Sequence, residues 1–142
     1  MSLRRKGKKN IKRRITIRSA KSKGRILQQW ACKKIAKTTG CAWGKDKPIE
    51  SRPMSQSGVD IRLEESVKKL FPFSVECKWQ ESWAVPAWIE QAKKNQMEGT
   101  DWLLVIKRNR KLPVVIMDAD SFFRLIKKAS NLDEFEKWRT QH

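Results

Sequence analysis

The first 45 residues contain no aspartate or glutamate, and the first carboxylate of the chain is Asp46. Histidine occurs once, as His142, and the three cysteines, Cys32, Cys41 and Cys77, show no CxxC spacing. An odd number of thiols excludes a closed disulfide framework, and a lone terminal histidine excludes a zinc finger, so free thiols in a reducing compartment are expected. No apolar run approaches the ~18 residues of a membrane span, and the basic start MSLRRKGKKN is followed by no apolar stretch of the kind a secretory signal needs. The expectation is a soluble, intracellular protein with no membrane partner. No internal repeat is visible, and 142 residues suit one domain with a tail.

Hydrophobic residues make up 39% of the chain against 34% charged, enough to build a core where a disordered polyelectrolyte has none. The net charge is +18 and unevenly placed: residues 1–45 hold 16 of the 33 lysines and arginines, and the rest of the chain sets 17 against 15 carboxylates. Such a stretch attracts a polyanion by releasing its condensed counterions, with an affinity that falls as salt rises. DNA or RNA is the leading partner, with Arg4, Arg5, Lys8, Lys9, Lys12, Arg13 and Arg14 as phosphate contacts. A solvated tail, a localisation signal or adhesion to acidic lipid are the alternatives. Lipid adhesion needs apolar residues interleaved at helical spacing, and residues 1–14 offer only Met1, Leu3 and Ile11.

Residues 1–20 are too charged to pack and read as a basic, flexible arm, with at most a short extended piece at Ile15 to Ile17; residues 21–142 form the single folded domain. Within it Ile26, Leu27, Trp30, Ala31 and Ile35 recur at helical spacing, bracketed by Ser22 and Gly40, which predicts a helix of about four turns. Lys23 and Arg25 lie off its apolar stripe and face phosphate or water. Residues 44–58 are rich in Gly, Pro and Ser and read as a loop with at most one short strand. Val59, Ile61 and Leu63 alternate with Asp60 and Arg62, and Phe73, Val75 and Cys77 alternate with Ser74, Glu76 and Lys78, each the period of a strand. A helix opening near Pro86 runs to about Met97, the runs WLLVIK and PVVIM form a hairpin, and two helices follow, the first capped by Asp120 or Ser121 and the last by a capping box of Asn131 and Glu134. This order predicts an α/β domain with a central mixed sheet of four to five strands flanked by helices.

Asp60 and Glu76 are acids within apolar strands. Glu76 and Lys78 share one face, and pairing of the two strands through residues 64–72 sets Asp60 beside Glu76. Two close carboxylates suit Mg²⁺, which takes one or two such ligands and keeps several waters, and Lys78 adds a compact positive charge for the attacking water or the developing phosphate charge. Together they form a phosphodiesterase centre. The competing reading makes them exposed strand acids paired with Arg62 and Lys78 as ordinary ion pairs.

The runs SQSGVDIRL, FSVECKWQ, WIEQAKKN and WLLVIK, with KGRILQQW opening the first helix, resemble the PD-(D/E)XK nuclease superfamily over about residues 21–128. They are closest to archaeal-type Holliday junction resolvases and small phage-borne nucleases similar to them. The resemblance implies a restriction-endonuclease-like core and a metal-dependent DNA endonuclease acting as a homodimer on branched or double-stranded DNA. Mg²⁺ is the implied cofactor, replaceable by Mn²⁺, and the implied location is the cytoplasm of a prokaryotic or phage-infected cell. Carried onto this sequence, Asp60 and Glu76 become metal ligands, Cys77 offers its backbone carbonyl, Lys78 is the catalytic lysine and Gln91 a supporting helix glutamine. Ser55 and Ser57 fall where such resolvases carry a serine near the phosphate. Gln28 stands where the family usually has a first-helix glutamate, which removes a charge and puts a second metal in doubt, and Val59 replaces the proline that names the superfamily. A homing- or restriction-type double-strand endonuclease shares this core, and a non-catalytic nucleic-acid-binding protein shares the arm.

Seven tryptophans stand against no tyrosine. Trp30, Trp88, Trp102 and Trp138 fit amphipathic core positions, and Trp83, flanked by Ser82 and Ala84 in a loop, is the candidate for stacking on a base.

Overall fold

The computed structural model describes residues 7–53, 56–131 and 133–142. In chain order the elements are α1 (Gly7–Thr39), β1 (Ile49–Ser51), β2 (Ile61–Leu63), α2 (Glu65–Leu70), β3 (Phe73–Trp79), α3 (Val85–Lys94), β4 (Asp101–Lys107), β5 (Val114–Met117), α4 (Ala119–Ser130) and α5 (Asp133–Gln141). The expected α/β class with a mixed sheet is borne out. Strand β4 pairs parallel with β3 and antiparallel with β5, while β1 and β2 form a separate antiparallel pair. The sheet is therefore three strands plus two, and β2 does not ladder onto β3 as the expected site geometry assumed.

Strand alternation sends the side chains of the three-stranded sheet to two distinct layers. On one face Val75, Cys77 and Val105 pack with Leu27, Ala31, Cys32 and Ile35 of α1 and with Ile49, Ile61 and Leu63 of the two-stranded pair. On the other, Trp102, Leu104 and Ile106 of β4 meet Trp88 and Ala92 of α3. Glu76 and Lys78, out of phase with Val75 and Cys77, lie on this second face, under α3. Pro86 sits in the first turn of α3, where its fixed φ fits and its missing N–H costs nothing. The far end of α3 is tied down by a buried polar knot: the Met97 N–H donates to Ser74 Oγ at 2.7 Å, and that hydroxyl lies 2.6 Å from Thr100 Oγ1.

Several boundaries move. Helix α1 begins at Gly7, so residues 7–20, expected as an arm with an extended piece at Ile15 to Ile17, continue the first helix. Lysine and arginine are good helix formers, and a helix can run on beyond its apolar stripe by propensity alone. Helix α3 stops at Lys94, ahead of the expected Met97, with Asn95 as its C-cap. Asp118 rather than Asp120 or Ser121 caps α4, its carboxylate accepting from the Ser121 N–H at 3.2 Å. Asn131 is the C-cap of α4, and the Glu134 half of the expected capping box lies outside the described side chains. Trp88 and Trp102 are buried as expected, but Trp30 and Trp138 are exposed. Among the described residues no helix is long and apolar enough to cross a membrane.

Leu104 is fully buried at the centre of the α3 layer. Leu104→Ala is expected to cost ~2–5 kcal/mol through lost burial and a residual cavity. Urea unfolding should show a lower midpoint with an unchanged slope, and a loss below ~1 kcal/mol would mean that α3 collapses onto the gap.

Candidate active site

Asp60 stands at the entry to β2, and two hydrogen bonds fix it. Its backbone carbonyl accepts from the Arg52 N–H at 2.8 Å, extending the β1–β2 pairing, and its carboxylate Oδ2 accepts from the Cys77 N–H at 2.8 Å. The second bond does what strand pairing was expected to do. It places the Asp60 carboxylate against β3, one residue from Glu76, although the two strands belong to different sheets.

Glu76 is only 3% exposed, and its Oε1 lies 4.0 Å from Lys78 Nζ. Asn95 Nδ2 donates to Glu76 Oε2 at 3.5 Å. With Asp60, Glu76, Cys77, Lys78 and Gln91, residues Gln56, Ser57, Gly58, Lys94 and Asn95 line one cavity of about 340 Å³. The reading of Asp60 and Glu76 as exposed strand acids fails on burial. Arg62, its proposed partner for Asp60, instead faces Glu50 across the β1–β2 register with a 3.7 Å ion pair.

The electrostatics follow from burial. Loss of water raises the Glu76 pKa to about 7, and the neighbouring Asp60 charge adds to the rise while Lys78 and the Asn95 hydrogen bond oppose it. Burial also raises Asp60, against the Cys77 hydrogen bond and the Lys78 charge. Cys77 itself is buried in the α1 layer and its thiol is pushed well up by burial. Only its backbone is left to serve the cavity. Two oxygen-bearing carboxylates held together in a low-dielectric recess are what a small hard cation neutralises. Among the described residues no group of three or more His, Cys, Asp or Glu side chains is present that could hold a metal, so the protein offers two carboxylates. That donor set fits Mg²⁺, which keeps its waters, better than a four-ligand zinc cage.

The remaining site expectations divide. Gln91 and Ser57 line the cavity. Ser55, Arg4 and Arg5 lie outside the described residues, and so do the side chains of Lys8, Lys9, Lys12, Arg13 and Arg14. Gln28 does not line the cavity: it is buried in α1, its Oε1 accepting from Ser51 Oγ at 2.7 Å. Lys23 and Arg25, neighbours on one helix, diverge, Lys23 Nζ reaching 5.9 Å from the Trp79 ring and Arg25 lining a separate groove. Trp83 is exposed, its indole N–H donating to the Gln80 carbonyl at 2.9 Å, and it lies outside the cavity lining. Sequence reasoning missed Asn95, whose one available signal is its position four residues after Gln91, on the same helical face. It also missed Gly58, whose φ of +100° favours glycine and where a Cβ would meet Arg52 Nη1 at 3.1 Å.

The family described as "Phage putative PDDEXK endonuclease" matches residues 20–141, so the likeness runs past residue 128 into the last helix. No curated protein and no solved structure matches the chain.

Proposed function

Because the chain belongs to the PD-(D/E)XK endonucleases of phage type, we propose that it hydrolyses phosphodiester bonds in DNA, with Asp60, Glu76 and Lys78 as its catalytic centre. The observation that carries this reading is the convergence of buried Glu76, half-buried Asp60 and the lysine on one cavity, with the Asp60 carboxylate anchored on the backbone of the strand that bears the other two. Asp60, Glu76 and the Cys77 carbonyl hold a divalent cation, Mg²⁺ with Mn²⁺ as substitute, which when bound supplies Lewis acidity to the scissile phosphate and the attacking water.

The protein's own groups do the rest. Lys78 sets a compact positive charge beside the site, where it orients the water and offsets the charge that develops on the phosphate. Asn95 holds Glu76 in register, so its carboxylate need not reorganise. Gln91, one turn earlier on the same helix, lines the cavity, where its amide serves to hydrogen-bond the lysine or the attacking water. The basic first helix supplies phosphate contacts that fix position without reading sequence.

Branched DNA, a four-way junction above all, is the proposed substrate. Symmetric cutting of two strands needs two active sites, hence a homodimer. The exposed apolar residues Phe122, Phe123, Leu125 and Ile126 of α4 offer it a contact surface. The test is cleavage of a labelled mobile junction beside duplex, flap and single-stranded controls, in Mg²⁺ and in EDTA. Paired symmetric cuts that vanish in EDTA are expected. Preferential cutting of plain duplex would move the protein to the homing or restriction type, and binding without any cutting would leave only the nucleic-acid-binding reading.

Lys78→Ala is expected to lower the cleavage rate at saturating DNA by ~10²-fold or more, with Lys78→Arg recovering part of it, since arginine restores charge without the compact ammonium. Single-turnover rates check this, and an unchanged rate in Lys78→Ala would remove the lysine from the chemistry.

A further inference from the structure

Next to the catalytic cavity runs a second, larger groove of about 860 Å³, and Gln56 lines both. Its walls come from three places in the chain: Lys21 and Arg25 on α1, Trp43 and Lys45 on the loop after it, and Arg52 after β1. Four cations therefore face a space that the family match does not explain. Two acids also line it, but Glu50 is engaged by Arg62 at 3.7 Å and accepts from the Asp46 N–H, so cationic side chains dominate. Arg52 marks the junction of the two cavities. Its guanidinium donates twice to Gln56 Oε1, at 3.1 and 3.3 Å, and stands over Gly58 at the catalytic rim.

We infer that this groove is a nucleic-acid subsite, in which Arg25, Lys45 and Arg52 hold backbone phosphates of the strand leading away from the scissile bond, with Trp43 as the apolar wall. The inference rests on the nuclease reading for its direction and adds to it the side of the cut on which the protein grips. The groove is within the size of ordinary ligand sites, roughly 300–1,000 Å³. Among the described residues no ion pair joins the groove's four cations to Asp46 or Glu50, and such guanidinium and ammonium groups bind phosphate by charge-assisted hydrogen bonds and counterion release. Glycine at position 58 lets Arg52 lie close enough to bridge the two cavities, and so joins the gripping surface to the cutting one.

Arg25 and Lys45 are exposed, so Arg25→Gln/Lys45→Gln leaves the core untouched. Binding of a short fluorescein-labelled duplex by the full-length protein is measured in EDTA across a salt series, beside a control pair on the exposed turn between β4 and β5, Arg110→Gln/Lys111→Gln. The slope of log affinity against log salt is expected to fall by about 2 in the groove variant, close to 0.9 per lost phosphate contact, and to stay put in the control. Methylphosphonate linkages, which remove phosphate charge one position at a time, should weaken wild-type binding on one side of the cut and cause no further loss in the groove variant. An unchanged slope, an equal loss in the control pair, or linkages that act alike in both proteins would each overturn the subsite. Because binding is read without metal or cutting, the outcome is separate from that of the active-site variants: cleavage surviving in Asp60→Asn would sink the nuclease centre alone.

Discussion

Replacing Asp60 by asparagine is expected to cut Mg²⁺-dependent cleavage by ~10³-fold or more while leaving salt-sensitive DNA binding close to wild type. The substitution keeps shape and keeps an acceptor for the Cys77 N–H, whose 2.8 Å bond anchors the residue to β3. What it removes is the charge. Binding of a divalent cation contributes several kcal/mol of transition-state stabilisation, and ~4 kcal/mol corresponds to ~10³ in rate. On the proposed reading the phosphate contacts lie elsewhere, on α1 and in the groove beside the site, so affinity should hold. The measurement is a single-turnover rate with enzyme in excess, paired with anisotropy binding in EDTA and a thermal melt to confirm folding. A folded variant that cuts within about tenfold of wild type would show that Asp60 is a structural cap on β3 and that the cation, if any, is held by other groups.

The parts of this molecule legible in the sequence are those whose pattern is local. Strands β3, β4 and β5 carry apolar runs of strand length, and α3 combines a first-turn proline with Trp88 and Ala92 at helical spacing, so their existence and order were readable. Asp60, Glu76 and Lys78 were readable as a set because E-x-K in a strand places both charges on one face. Their mutual geometry was not. The expected strand pairing between β2 and β3 is replaced by a side chain to backbone bond from Asp60 to Cys77, which is a tertiary contact that no period announces. Gln28 shows the same limit from the other side: its place in α1 pointed to the site, yet its amide is spent on Ser51. The long reach of α1 is not legible because periodicity of apolar residues signals packing, and Ile11, Ile15 and Ile17 among so many cations set up no sustained period. Spacing alone places Trp30 and Trp138 in the core, but amphipathic spacing states only which residues share a face; in the structure both are exposed, with Lys34 Nζ 5.6 Å from the Trp30 ring and His142 stacked on Trp138.

In the metal-free protein, stability should fall as pH rises from about 4.5 towards 7, and Glu76→Gln should remove that fall. The sign follows from proton counts. Burial and the Asp60 charge lift Glu76 from its ordinary 4.5 to about 7, so across this window the folded state still holds a proton that the unfolded chain has released. The contribution is full below the unfolded value and is lost as pH climbs through the folded one. A rise of this size corresponds to on the order of 3 kcal/mol at neutral pH. Asp60 moves in the same direction, since burial raises it too. Saturating Mg²⁺ should reverse the trend, because a cation binds the ionised carboxylates and therefore stabilises more at pH 8 than at pH 5. The measurement is the difference in urea midpoint between wild type and Glu76→Gln at a series of pH values, in EDTA and in Mg²⁺. Using the difference cancels the repulsion among the many lysines and arginines, which both proteins share. A difference that stays flat with pH in EDTA would mean that Glu76 titrates like an exposed carboxylate. A flat response to Mg²⁺ in wild type, with the EDTA trend intact, would separate the burial of the pair from any role in holding metal, and would leave Lys78 alone to neutralise it.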